Sequence, residues 1–97
     1  MFFHLVLIKT KPSTDEDFGE RVETFAKRVR EECQGIEKYA FTSNTASRAQ
    51  GYEWAAYGLF ASGEDHDKYQ ASSAHQEMKA YIGAFAEHMV VCETEWK

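Results

Sequence analysis

Four stretches of the chain carry apolar residues in patterns that are typical of β-strands. Residues Phe2 to Thr10 are apolar on both alternating sets of positions, which predicts a strand buried on both faces. The ranges 36–44, 52–61 and 88–96 contain fewer polar residues than loops usually do and are rich in aromatic or β-branched residues. This composition predicts three more strands. In the first, third and fourth of these strands, apolar side chains fall on both faces.

Two helical regions separate the strands. Apolar residues at three- and four-residue steps predict an amphipathic helix after the first strand, with a stripe of Phe18, Val22, Phe25 and Val29. We expect this helix to start at a capping box of Ser13 and Glu16 and to end near Gly35. The second helical region follows Ser62, and its apolar stripe is Met78, Ile82 and Phe85.

The segment from Tyr69 to His75 predicts a break inside the second helical region. On an unbroken helix, the six-residue separation would turn these two side chains roughly 120° apart. Ser72 and Ser73 are both favoured N-cap residues, and Ser73 with Gln76 has the spacing of a capping box. Tyr69 would then end one short helix and His75 would open the next, so that a phenol and an imidazole can face one cavity.

The order of elements is therefore β-α-β-β-α-β, which predicts an α+β, ferredoxin-like fold with an antiparallel four-stranded sheet in a single domain over residues 1–97. Two helices can cover only one face of such a sheet. The apolar side chains of the other face would form a patch larger than soluble monomers usually expose. This predicts a homodimer that joins sheet to sheet.

Charge and the first residues exclude several kinds of partner. The net charge is −5, and the 11 basic residues are spread along the chain with no basic run, which argues against nucleic acid as a partner. The apolar run at the start follows no positive residue and is too short to span a bilayer, so we expect a cytoplasmic protein without membrane contact.

The cysteines and histidines are too scattered to form a recognisable motif. Cys33 and Cys92 are far apart without a CxxC spacing, which favours buried, reduced thiols over a disulfide. The four histidines show no HxH or HxxxH spacing, so we expect neither a metal site nor a cofactor. His66 and His88 are interpreted as solvated or structural.

Several of these features together resemble the stress-responsive dimeric α/β-barrel (Dabb) domain family. They are the start Phe3-His4-Leu5-Val6-Leu7, the Gly35-Ile36 pair after the first helix, and Tyr69 followed by Ala74-His75 and a helix. The resemblance implies a ferredoxin-like chain whose sheets join into a dimeric barrel. Some members are heat- or salt-stable plant proteins, and one plant member is a cofactor-free cyclase that closes a linear poly-β-ketone by an intramolecular aldol reaction.

The resemblance also suggests which residues carry chemistry. The Tyr and His of the cyclase match Tyr69 and His75, and the His of its first strand matches His4. Two positions depart from the pattern: Ser72-Ser73 stands where the family usually has His-Pro, and Trp54 stands where the cyclase has a third His. The second departure changes the hydrogen bonding and the volume of the pocket.

The sequence therefore predicts an apolar pocket for a small apolar or aromatic carbonyl ligand, with His75, Tyr69 and His4 as catalytic candidates and with walls of Phe25, Trp54, Ile82 and Phe85. His75 would remove a proton next to a carbonyl, and Tyr69 or His4 would stabilise the resulting oxyanion. Two alternatives stay open at this point. One is a non-catalytic stress or scaffold protein in which the same residues complete the core, and the other is a cofactor-free monooxygenase.

Overall fold

Strands and helices follow one another in the order βαββααβ. The structure is a computed structural model that describes residues 1–97. Its elements are β1 (Phe2–Thr10), α1 (Phe18–Glu32), β2 (Ile36–Ser43), β3 (Trp54–Phe60), α2 (Gly63–Ala71), α3 (Ser73–Phe85) and β4 (Ala86–Glu95). No helix is long and apolar enough to cross a membrane.

The four strands form one antiparallel sheet in the order β2-β3-β1-β4. The central strand β1 places His4 opposite Gly58 of β3 on one side and opposite Glu93 of β4 on the other. This topology confirms the predicted ferredoxin-like fold, with the second helical region divided into α2 and α3.

The helices lie on one face of the sheet. Ile8 is buried in the core, and Phe2 and Val6 pack against that core, so these alternate positions of β1 face the helices. Phe3, Leu5 and Leu7 therefore point to the opposite face, which no helix covers. The guanidinium of Arg28 on α1 donates to both carboxylate oxygens of Glu77 at 3.0 Å, which ties α1 to α3 on the solvent side.

The first helix starts later than the sequence suggested, because residues 11–17 form turns instead. The backbone amide and the hydroxyl of Thr14 both donate to the carbonyl of Lys11. The N-cap is Asp17, whose carboxylate accepts from Arg21 Nε at 2.9 Å and makes no capping bond. The predicted Ser13 and Glu16 capping box was therefore wrong.

The apolar stripe of α1 also differs from the prediction at one position. Its buried residues are Phe18, Val22, Ala26 and Val29, whereas Phe25 is half-buried. The helix ends at Glu32 with Cys33 as its C-cap, and Gly35 follows with φ of +73°. A side chain at Gly35 would also collide with Asp65, since an added Cβ would lie 2.2 Å from its Cγ.

The predicted break between Tyr69 and His75 is confirmed, and its cap is Ser72. The Ser72 hydroxyl accepts from the backbone amide of His75 at 3.2 Å and donates to the carbonyl of Tyr69 at 2.7 Å. One residue thus closes α2 and opens α3. Ser73 is the first residue of α3, so the predicted capping box of Ser73 and Gln76 was wrong by one position.

Both cysteines are free thiols. Cys33 is half-buried at the end of α1, and Cys92 is exposed on β4. The predicted reduced state is confirmed for both, whereas the predicted burial is wrong for Cys92 and holds only in part for Cys33, which packs against the core. Cys92 lies opposite Leu5, on the face of the sheet that the helices leave uncovered.

Candidate functional site

A cavity of about 190 Å³ lies between α3 and the β1–β4 half of the sheet. Its walls are mostly apolar and include Val6 and Ile8 of β1, Met78 and Ile82 of α3, and Met89 and Val91 of β4. Its polar groups come from His4, Tyr69, Gln70, His75 and Lys79. An apolar space with a few convergent polar groups is the usual form of a small-molecule site.

His75 stands at the start of α3 with one ring nitrogen occupied and the other free of a protein hydrogen bond. Its Nδ1 lies 3.2 Å from the carbonyl oxygen of Gln70. A carbonyl oxygen can only accept, so Nδ1 carries the proton and Nε2 keeps its lone pair. Burial lowers the pKa of His75 below its ordinary value of 6.5 and outweighs the opposing effect of the Gln70 hydrogen bond, with smaller contributions from His4 and Lys79 that also lower it. The ring is therefore neutral at pH 7.

Tyr69 lies against His75 and is bonded to a second buried phenol. The two ring centroids of Tyr69 and His75 are 4.4 Å apart, and the Tyr69 hydroxyl lies 2.8 Å from that of Tyr39 on β2. Burial raises the pKa of Tyr69 to about 12. Burial and the neighbouring Tyr69 also raise the pKa of Tyr39 far above its ordinary range. Both phenols therefore keep their protons at neutral pH and can donate.

His4 is a buried imidazole with a carboxylate partner. Its Nδ1 donates to Glu93 Oε2 at 2.8 Å across the β1–β4 pair. His66 of α2 lies next to it, with ring centroids 4.8 Å apart, and is also buried. Burial lowers the pKa of His66, and the neighbouring His4 lowers it further.

Three residues that were predicted to form the pocket wall do not line this cavity. Trp54 stacks on Phe41 at 5.2 Å, and Phe85 packs against Phe18 and Tyr81. Phe25 also packs against Tyr81, at 5.8 Å. These aromatic rings fill the space over β2 and β3, where they pack around Phe18 at the start of α1. Of the predicted residues, the structure brings together His4, Tyr69, His75 and Ile82.

Sequence reasoning missed four residues that stand near these groups: Tyr39, His66, Lys79 and Glu93. Two of them had a usable signal, because His66 is three residues before Tyr69 and Lys79 is four residues after His75. Both spacings place the side chains on one helix face. Tyr39 and Glu93 had no such signal in the sequence. Their positions depend on the register between strands and on the packing of Tyr39 against Tyr69, and both are set by the tertiary structure.

Several solved structures share the fold. A dimeric ferredoxin-like protein of unknown function from Thermobifida fusca superposes with a TM-score of 0.86 at 19% identity, covering 98% of this chain and 90% of that one. A hydroxynitrile lyase from Passiflora edulis gives 0.82 at 15% identity, covering 96% and 90%. A putative antibiotic biosynthesis monooxygenase from Nitrosomonas europaea gives 0.83 at 10% identity, covering 99% and 98%.

Comparison with curated proteins gave no match in sequence. The family model described as "Stress responsive A/B Barrel Domain" matches residues 2–96, which is nearly the whole chain. This agrees with the resemblance noted from the residues around His4, Gly35 and His75. The chain therefore belongs to the stress responsive A/B barrel domain family.

Proposed function

We propose that this protein is a cofactor-independent enzyme of the cyclase or lyase type, which removes a proton next to the carbonyl group of a small, largely apolar compound. The observation that carries the proposal is the cavity that adjoins both His75 and Tyr69. In a scaffold protein, those two rings would pack without leaving a space between them and the sheet.

His75 is the base in this proposal. With Nδ1 held by the Gln70 carbonyl, the Nε2 lone pair takes the proton from the substrate carbon, and the electron pair of the broken C–H bond moves onto the carbonyl oxygen. The lowered pKa of His75 keeps the base unprotonated at pH 7 before each turnover. The proton then returns from Nε2 to the product, so the enzyme ends as it began.

Tyr69 stabilises the enolate oxygen that forms. Its hydroxyl stays protonated because the pKa is raised to about 12, so it can donate a hydrogen bond to the oxyanion. When Tyr39 donates to the Tyr69 oxygen, the Tyr69 O–H bond is left free to donate to a substrate oxygen. The buried Tyr39 thus acts as a positioning residue for the donor.

The dimensions and walls of the cavity restrict the substrate. A dry engineered cavity of about 150 Å³ holds one benzene molecule, so 190 Å³ suits a compound of about one ring with a short substituent. The apolar walls favour a hydrocarbon body, and the ammonium of Lys79 on one side favours a carbonyl compound with an anionic end. A small aromatic or cyclic keto acid combines these features.

The names of two similar structures support an enzymatic function over a scaffold. One is a hydroxynitrile lyase and the other is a putative antibiotic biosynthesis monooxygenase. A lyase or cyclase needs the base and the hydrogen-bond donor described above. Measuring α-proton exchange with and without oxygen separates proton transfer from oxygenation.

The test is deuterium exchange from D₂O into the α-carbon of small keto acids and cyclic diketones, followed by NMR. We expect the wild type to accelerate exchange, and His75→Ala to lower the rate by about 10²- to 10⁴-fold. Tyr69→Phe is expected to lower it by about 10²-fold. The control is His88→Ala, which removes an exposed histidine bonded to Tyr52 outside the cavity.

Two results would contradict the proposal. One is exchange at the same rate in wild type and His75→Ala. The other is a loss of several kcal/mol in the free energy of unfolding of His75→Ala with no ligand that shifts the melting temperature of the wild type. The second result would show that the corner at residues 69–75 is structural.

We further propose that the chain forms a homodimer through the uncovered face of its sheet. This face carries apolar side chains from three strands: Phe3, Leu5, Leu7, Ala55, Tyr57, Leu59, Val90 and Cys92. The Thermobifida fusca structure is described as dimeric, which supports the same assembly here. Val90 is 44% exposed, so Val90→Lys adds a charge to the face without disturbing the core. We expect light scattering to show a dimer for the wild type at micromolar concentration and a monomer for the variant.

A further inference from the structure

Three potential metal ligands converge beside the cavity from three separate elements. His4 belongs to β1, His66 to α2 and Glu93 to β4. One ligand atom from each lies within 4.8 Å of the other two. The three residues come from the start, the middle and the end of the chain.

The distances agree with the size of a tetrahedral zinc site. Zinc bonds of about 2.0–2.2 Å to nitrogen and oxygen place neighbouring donors roughly 3.3 Å apart. Glu93 Oε2 lies 2.8 Å from His4 Nδ1 and 3.5 Å from His66 Nε2, which brackets that value. The two imidazole nitrogens, at most 4.8 Å apart, would close by up to about 1.5 Å on binding.

Burial and charge also favour a cation at this point. His4 is 6% exposed and His66 is 4% exposed, so both rings are held in place by packing. The Glu93 carboxylate lies near these two imidazoles alone, at 2.8 and 3.5 Å, and has no lysine or arginine partner. Its negative charge therefore faces two groups that can be neutral ligands.

The nitrogen of His66 that faces Glu93 is already an acceptor. The side-chain amide nitrogen of Gln70 lies 3.3 Å from His66 Nε2, and an amide nitrogen can only donate. With Gln70 donating, Nε2 accepts and is unprotonated. The same nitrogen lies 3.5 Å from Glu93 Oε2, so a metal bound there would replace the Gln70 hydrogen bond. The His66 ring is fixed from both sides by Phe2 and Phe60, with centroid distances of 4.8 and 5.1 Å.

From this geometry we propose that His4, His66 and Glu93 bind a divalent transition-metal ion of the zinc class. The inference goes beyond the proposed proton transfer, which uses no metal. The ion takes the place of the proton between His4 and Glu93, and that proton moves to Nε2 of the same imidazole as Nδ1 becomes the ligand. Two histidines and one glutamate leave a fourth tetrahedral position for water or a small ligand.

The test measures zinc affinity by titration calorimetry of the folded protein with ZnCl₂, and cobalt binding by the visible spectrum of CoCl₂-loaded protein. We expect one zinc per chain and the absorption of four-coordinate cobalt, with no binding of MgCl₂, which prefers six oxygen ligands. Glu93→Gln and His66→Phe are expected to weaken zinc binding by at least about tenfold. Glu93 is 38% exposed, so its variant keeps the fold even if His66→Phe does not.

The matched controls are His88→Ala and Cys92→Ser. They remove an exposed histidine and an exposed thiol from β4, the strand that carries Glu93. Both variants should bind zinc as tightly as the wild type. The proposal is overturned if zinc binds equally well to Glu93→Gln and to wild type, if Cys92→Ser abolishes binding, or if no stoichiometric binding occurs at micromolar zinc.

Discussion

The two halves of the space between helices and sheet are built from similar residue types but packed in opposite ways. Over β2 and β3, Phe18 is surrounded by four aromatic rings at centroid distances of 5.7–6.2 Å and is only 1% exposed. Over β1 and β4, His4, Tyr69 and His75 surround a cavity, and Met89 at its margin is 45% exposed. The first half is closed and the second is accessible.

The difference shows how position in the sheet separates a core from a site. Helix α1 covers β2 closely, and the aromatic rings there pack against one another, leaving the buried Tyr81 hydroxyl without a hydrogen-bond partner. Strand β4 is an edge strand whose side chains are largely exposed, so α3 closes the space above it only in part. Polar side chains can line that space because it is open to water, which lowers the cost of leaving a polar atom without a protein partner.

The largest effect on stability is expected in the closed half. Phe18→Ala should reduce the free energy of unfolding by about 3–5 kcal/mol, because four surrounding rings cannot collapse into the gap. His75→Ala in the open half should cost about 1 kcal/mol, mainly the bond to Gln70. Urea denaturation of both variants measures the contrast. Equal losses would mean that the open half is packed as tightly as the closed one.

A pair of glycines sharpens the contrast with smaller changes. An added Cβ at Gly19 would lie 2.7 Å from Cη2 of Trp54, whereas one at Gly83 would meet nothing within 4 Å. Gly19→Ala is expected to destabilise the protein by about 1–2 kcal/mol despite the better helix former. Gly83→Ala should stabilise it by up to about 1 kcal/mol. Thermal unfolding of the two variants checks both signs, and a stabilised Gly19→Ala would show that Trp54 has room to move.

Tyr39→Phe tests whether the buried phenol serves the open half. Losing the Tyr39–Tyr69 hydrogen bond should cost about 1 kcal/mol of stability. The proposed positioning of the Tyr69 proton predicts a further drop in kcat for α-proton exchange with little change in KM. Steady-state kinetics separates the two parameters. A stability loss without any change in kcat would assign the bond to packing alone.

The pH dependence of stability should also come from the open half. The pKa values of His66 and His75 are lowered by burial from 6.5 in the unfolded chain. As the pH falls below 6.5, the unfolded chain takes up protons that the folded protein does not, so the free energy of unfolding declines until the lower folded pKa is passed. At alkaline pH the slope of stability against pH has the opposite sign. The pKa of Tyr69 is raised from 10.0 to about 12, so the unfolded chain loses this proton first and the free energy of unfolding declines as the pH rises through this range.

Melting temperatures at pH 7.5, 6.5 and 5.5 measure the acid effect, and the double variant His66→Phe with His75→Ala is the comparison. We expect the double variant to show a flatter profile between pH 6.5 and 5.5 than the wild type. Identical profiles would place the acid sensitivity elsewhere in the molecule.

Much of the fold could be predicted because its signals are local. The doubly apolar pattern of residues 2–10 predicted β1 at its observed bounds, and the six-residue step from Tyr69 to His75 with Ser72 between them predicted the break between α2 and α3. The start of α1 could not be predicted in the same way. Residues 13–16 have the spacing of a capping box, but Thr14 forms a turn with Lys11, and Asp17 pairs with Arg21 instead of capping.

The sequence by itself determined the order of strands and helical regions, most of each apolar face, and the meeting of Tyr69 with His75, because these depend on periods of two and 3.6 residues and on one cap. Only the tertiary structure decided that Trp54 and Phe85 fill space while Ile82 lines a cavity. It also decided that Tyr39 reaches Tyr69, and that His4, His66 and Glu93 meet across 89 residues of chain. Such contacts depend on strand register and on which strand a helix covers, and no spacing along the chain encodes either.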